Sequence, residues 1–348
     1  MRNDVLMHTV LAWSGRHLSH LGDASGISCP ESTTTWTHYA VAIRQLKYGI
    51  TKLAKGDDVD ISSHMLSMLL LCLLEAISDD DQCALYHHLR AANPLISSFL
   101  SVAHMDAGLR TLVIELYLYL SSVANITLNA YSDQRVVNFD RDLFTLCKLH
   151  GSDASGVSLG CAHDLFDIIP QVSELALLRL HEQRGAGHLR DETAVLYKEL
   201  LSKIMCWEPV SVGVEDPGLT LGGQILQQGL LVFLYSSFYC HDVGNTEFQI
   251  LIQQSEGNAA ALLRRVDFTT PSTTILVWPL TILGSCARDF ASRNLISATL
   301  RGIYQQFELA PPKRALGVLE LLWEDPTVFG LLGLEQIMLR NNIILGVA

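Results

Sequence analysis

The sequence predicts an all-α fold, a single irregular multi-helix bundle of about a dozen helices, and three observations carry that expectation. Trp36, Tyr39, Ile43, Leu46, Ile50 and Leu53 recur at alternating steps of three and four, which lines one face of a helix. Met65–Ile77 (MLSMLLLCLLEAI) is apolar almost all round, and a helix with no wet side has to sit inside a bundle. No stretch of useful length alternates apolar and polar residues as a half-buried strand would.

The elements follow in order. A first helix is expected over Asp4–Ser19, capped by Asn3, with Val5, Leu6, Val10, Leu11 and Leu18 facing inward. Gly22–Thr34 is rich in Gly, Ser, Thr and Pro and reads as a loop before the Trp36–Leu53 helix. After Met65–Ile77 come residues 83–100, which should bend or restart at Pro94, and Leu109–Leu120. Residues 128–158 are mostly polar, with a break at Gly151–Gly156. Beyond it the pattern predicts helices over Asp164–Leu180, with Pro170 inside, and over Glu192–Cys206, with a turn at Gly185–Gly187 between them. Glu208–Gly218 reads as a loop. Helices then follow over Gly223–Tyr239, Asn258–Val266, Ser272–Ser285, Arg288–Phe307 and Arg314–Trp323. The breaks are too short for an interdomain linker, so residues 1–326 read as one all-helical regulatory-type domain. Residues 327–348 read as an apolar tail able to form a last packed helix.

Composition narrows the function classes. Of 348 residues, 49% are hydrophobic and only 17% charged, which supports a large core and argues against disorder. The longest apolar runs, Met65–Ile77, Ile225–Tyr239 and Ile275–Gly284, fall short of the ~18–20 residues that a membrane span needs. The N-terminus has an acid at position 4 and no signal-peptide pattern, so the reading is intracellular and not secreted. The formal charge of −12, with acid clusters at Asp57–Asp60 and Asp79–Asp81, opposes binding to a phosphate backbone. Both clusters precede helices, where carboxylates favour the dipole. The eight cysteines are scattered through apolar segments without C-x-x-C spacing and read as reduced core residues.

No catalytic, cofactor-binding or metal-ligating residues are assigned, and no cofactor is implied. Serine-hydrolase, P-loop and zinc-protease motifs are absent, and Gly222-Gly223 lacks the flanking glycines of a dinucleotide fold. His87 and His88 point about 100° apart on a helix, poorly placed to share a metal. Cys161, His163, Cys240 and His241 are suitable ligand types without a second pair at zinc spacing. Asp164 and Asp167 share a helix face, which reads as a solvated surface.

Several segments together resemble a known family. Met7–Ser19 ends an apolar run in His17-Leu18. Tyr39–Ile43 with Leu46 leads a second helix, and Leu69–Glu75 is a leucine-rich helix closing on a glutamate. Leu85–Ala92 contains His88-Leu89-Arg90, with Leu85 at a usual tryptophan position. The most specific piece is Trp278-Pro279-Leu280…Gly284…Cys286…Arg293, with Leu322-Trp323 in the closing helix. In this order they are similar to the fungal-specific transcription factor domain, the all-helical regulatory region of fungal zinc-cluster transcription factors, across roughly residues 7–325.

The resemblance implies a non-enzymatic, nuclear, transcription-regulator-like role exerted through protein partners or a small effector. The family's six-cysteine DNA-binding cluster is absent, so DNA binding transfers to no residue here. That leaves a truncated product, a gene read from a late start, or a regulator that lacks its own DNA-binding module. An enzyme on a helical scaffold from a biosynthetic pathway is the competing reading, and a non-functional fragment the third. Trp278, Gly284 and Trp323 read as packing residues rather than ligand contacts.

Overall fold

The computed structural model describes residues 4–24, 33–77, 85–102, 105–124, 126–128, 145, 162–185, 188–209, 217–240, 242 and 244–346. Among these residues every regular element is helical, and 81% of them lie in helices. Asn3, most of the polar stretch 128–158, the break at Gly151–Gly156, Cys161 and His241 lie outside the described residues. The chain divides into two compact units.

The first unit holds α1 (Asp4–Ala24), α2 (Thr33–Ala54), α3 (Ile61–Ile77), α4 (Leu85–Leu100) and α5 (Ala107–Val123) as far as Leu120. Helix α1 packs on α2 and α3, and α3 on α4. The inward face of α1 is Val5, Thr9, Ala12 and Arg16, again at steps of four and three. Val10, Leu11 and Leu18, expected inside, are exposed, Leu18 by 64%. The same correction applies to α2. Its fully buried positions are Thr35, Ala42, Leu46 and Gly49, while Tyr39, Ile43, Ile50 and Leu53 are half-buried and Trp36 is exposed.

Small residues explain the shift. A side chain at Gly15 would run into the Thr35 hydroxyl, and one at Gly49 into the His64 imidazole. The helices approach so closely that small side chains occupy the seam and larger ones flank it. Helix α3 also differs from expectation. Met65, Met68, Leu69, Leu71, Cys72, Leu74 and Ala76 are buried, but Leu66, Leu70 and Leu73 form a half-buried stripe at steps of four and three. Helix α4 continues through Pro94 rather than restarting there.

The second unit holds α6 (His163–Phe166), α7 (Ile168–Arg184), α8 (Asp191–Met205), α9 (Pro217–Phe238) and α10 (Thr246–Leu263). A 3-10 turn (Pro271–Leu276) leads into α11 (Val277–Cys286), followed by α12 (Phe290–Phe307), α13 (Ala310–Glu324, from Pro311 onward) and α14 (Gly330–Arg340). The expected Asp164–Leu180 helix is two pieces that part at Asp167, and Pro170 falls in the first turn of α7, where a missing N–H costs nothing.

Helix α9 is the centre of this unit, touching α7, α8, α10 and α11. Every residue of α11 is buried. Helix α10 begins twelve residues before the expected Asn258. Asn245 caps it, its side chain accepting from the N–H groups of Glu247 at 2.9 Å and Phe248 at 3.3 Å. In the tail, α14 buries Leu331, Leu334, Ile337 and Met338.

Candidate functional site

Helix α11 and its C-terminal corner carry the sequence's most specific motif, and each motif residue has a packing or tethering task. Trp278 is fully buried, its ring edge-on to Phe233 of α9 with centroids 5.6 Å apart. Pro279 lies against Gly229 of α9, where an added Cβ would sit 2.6 Å from the Pro279 Cβ and 2.8 Å from its Cα. Gly284 faces Leu319 of α13 in the same way, with 2.6 Å to the nearer methyl. The absent side chains let three helices approach at contact distance.

The end of α11 has carbonyls with no helical partner. The Trp323 indole N–H donates to the Gly284 carbonyl at 2.8 Å. Arg293 of α12 donates through Nε to the Ala287 carbonyl at 3.0 Å and through Nη1 to the Trp323 carbonyl at 3.3 Å, its guanidinium 5.6 Å from the Trp323 ring centroid. One arginine thus ties the ends of α11 and α13 together.

Beside this corner lies a small polar group. The Cys286 thiol is buried against the hydroxyls of Ser236 at 3.6 Å and Ser285 at 3.7 Å. Burial pushes it up to about 11, so it is a protonated thiol and a poor nucleophile at neutral pH. Glu256 of α10 is pushed up to about 7, first by burial and then by the Asp289 carboxylate, with Arg288 pulling the other way. Arg288 lies over the Phe329 ring, 4.1 Å from its centroid.

A second polar node joins α7, α8 and α9. The buried Glu182 carboxylate accepts from the Thr193 hydroxyl at 2.5 Å, from Arg179 Nη1 at 2.5 Å and from the Arg190 N–H at 3.3 Å. Burial raises its pKa, but these donors outweigh it and hold the carboxyl below its ordinary range. Arg179 also donates to the Phe238 carbonyl at 3.1 Å, and Phe238 stacks on Tyr197 with centroids 4.0 Å apart. All of these side chains are committed to one another, as in a structural joint.

The other sequence candidates do not converge. His87 is exposed, whereas His88 is buried with its Nε2 3.7 Å from Glu75 Oε1, which also accepts from the Tyr39 hydroxyl at 2.6 Å. Asp164 is exposed and pairs with His163 next to it, while Asp167 is buried. Cys240 is buried, its thiol 3.3 Å from Gln183 Oε1. Among the described residues no three His, Cys, Asp or Glu side chains come together in a group able to hold a metal ion. Sequence reading missed Glu182 and Glu256. Glu182 had no motif around it, and Glu256 fell outside the helix expected from Asn258.

The family model described as the fungal-specific transcription factor domain matches residues 1–329. The chain belongs to that family. The match spans both compact units. No curated protein and no solved structure matches the chain. The fungal-specific transcription factor domain is a transcription-factor family rather than an enzyme family. Among the described residues, no helix of this domain is long and apolar enough to cross a membrane.

Proposed function

We propose that this chain is a regulatory domain of transcription control in the nucleus, acting through protein partners or a small effector and not binding DNA itself. The family match over residues 1–329 carries this reading. The net charge of −12 supports the second half, since a surface of that sign repels the phosphate backbone that supplies most duplex affinity. The sequence also contains no six-cysteine cluster to hold two zinc ions. Residues 1–326 act as the regulatory-type domain in this reading, and residues 327–348 complete its packing.

Two measurements test it. In a fluorescence anisotropy titration at near-physiological salt, the purified chain leaves a pool of duplexes unbound, and any weak association fades as salt rises. Fused to a separate DNA-binding module, it changes the output of a reporter promoter carrying that module's site. Submicromolar sequence-selective binding by the chain alone, stoichiometric zinc, or a fusion that leaves the reporter at the level of the bare module would overturn the proposal.

A further inference from the structure

Glu256 sits on α10 directly before Gly257 and faces the turn between α11 and α12. Its Oε1 is sealed from solvent and has no hydrogen-bond donor. Glu256 as a whole is half-buried, but a carboxylate with one oxygen sealed is stabilised as an ion only by a nearby cation, and the elements packed closest to α10, which are α9 and α12, do not supply one. Helix α9 carries no charged side chain; its one titratable group, Tyr235, is held neutral because burial raises its pKa. Helix α12 carries Arg293, Arg301 and Tyr304. Arg293 is committed to the Ala287 and Trp323 carbonyls, and Arg301 pairs with Glu320 at 2.9 Å. Tyr304 lies under Lys313, whose Nζ is 5.9 Å from the ring centroid.

The turn itself offers Arg288, which lies over Phe329, and Asp289, whose Oδ1 accepts the Ser292 N–H at 2.9 Å. That bond and its companions hold Asp289 below the ordinary carboxylate range, so it is ionised and repels a second negative charge. The remaining neighbour, Cys286, is a neutral thiol. The acid on α10's own surface, Glu247, is two and a half turns away along the helix.

We propose that Glu256 is a protonation switch of the second unit: neutral, its carboxyl stays folded against the α11–α12 turn; ionised, it turns to water and loosens α10 there. Gly257 makes the opening easy. A glycine inside a helix weakens it locally, and no atom lies within 4 Å of where its Cβ would be. The carboxyl, pushed up to about 7, titrates where small changes around neutrality alter its charge. A group whose folded value is raised stabilises the fold fully below its unfolded value and loses that contribution as pH rises through the folded one. The window therefore runs from the ordinary carboxyl value of 4.5 to about 7.

The test is urea unfolding of the whole chain from pH 5 to 8, wild type against Glu256→Gln, with hydrogen exchange of α10 amides alongside. Between pH 5 and 7 the wild-type unfolding constant rises by about 40-fold relative to the variant, which keeps a neutral side chain throughout. The comparison cancels the contributions of every group common to the two proteins. Asp289→Asn, which keeps the cap and removes the repelling charge, moves the window to lower pH. After correction for intrinsic rates, α10 amides of the wild type lose protection from pH 6 to pH 8 while α2 amides keep theirs. Parallel pH profiles for wild type and Glu256→Gln, or α10 protection unchanged from pH 6 to 8, would overturn the proposal. Should Glu256→Gln fail to fold, the wild-type exchange and the Asp289→Asn shift decide it.

Discussion

Trp323 donates its indole N–H to the carbonyl oxygen of Gly284 at 2.8 Å, joining residues 39 apart in sequence. The bond adds a second, shorter donor to a carbonyl at the end of α11 that otherwise accepts only the Ala287 N–H at 3.3 Å. Trp323→Phe keeps most of the ring and removes the shorter of the two donors, leaving that carbonyl the Ala287 N–H alone. The expected cost is about 0.5–1.5 kcal/mol, read as a lower urea midpoint with an unchanged slope. Arg293→Ala removes the neighbouring tether, and because the two share the same corner their effects should not add.

Gly229 and Gly284 test how closely α9, α11 and α13 must approach. Alanine at an exposed helical glycine would gain about 1 kcal/mol. At Gly229 the new methyl would press on the Pro279 ring and backbone, which cannot rotate away. At Gly284 it would press on the Leu319 side chain, where rotating one methyl aside brings the other in, 3.0 Å away. Both substitutions should therefore destabilise, by about 1–3 kcal/mol, with Gly229→Ala the worse. The double variant Gly284→Ala, Leu319→Ala should show positive coupling in thermal unfolding, since the second change makes room for the first.

Helix α3 gives a graded test of burial. Leu71 is fully buried, so Leu71→Ala should cost about 2–5 kcal/mol. Leu73 is half-buried on the other side of the same helix, and Leu73→Ala should cost roughly 1–2 kcal/mol. Equal losses at both positions in chemical denaturation would mean that the half-buried stripe is covered in solution.

These residues also show what the sequence could reveal. The all-α class and most helices were legible because apolar residues at three- and four-residue steps report a helix whichever face is buried. The buried face was less legible. In α1 and α2 the close contacts are made by small residues, Gly15 against Thr35 between the two helices and Gly49 against His64 of α3, with Ala12 and Ala42 also buried and large apolar residues flanking them. A periodicity count weights the large residues and so rotates the predicted core. Helix α10 was read short because Gln249–Gly257 has few apolar residues at helical spacing, although Asn245 before Thr246-Glu247 was an available cap signal. The Trp278–Arg293 motif was legible as a family resemblance, but its tasks were not. That Arg293 bonds two carbonyls from different helices, and that Glu256 Oε1 lacks a donor, depends on side-chain placement that local sequence does not encode.

Glu182 provides a prediction with the opposite pH sign to Glu256. Its carboxylate is buried, with Thr193, Arg179 and Arg190 donating to it. Removing it leaves the Arg179 guanidinium with the Phe238 carbonyl but no counter-charge in a buried setting, so Glu182→Ala should cost about 3–5 kcal/mol. Because the folded carboxyl is held below its ordinary value of 4.5, its contribution is present above that value and fades as pH falls through the lower, folded one. Glu182→Gln keeps the shape but loses the charge. Wild type should lose stability relative to this variant only below about pH 4.5. An unfolding series from pH 3 to 6 would check this, and a wild-type advantage that stays constant to pH 3 would show that the carboxylate is not titrating with folding.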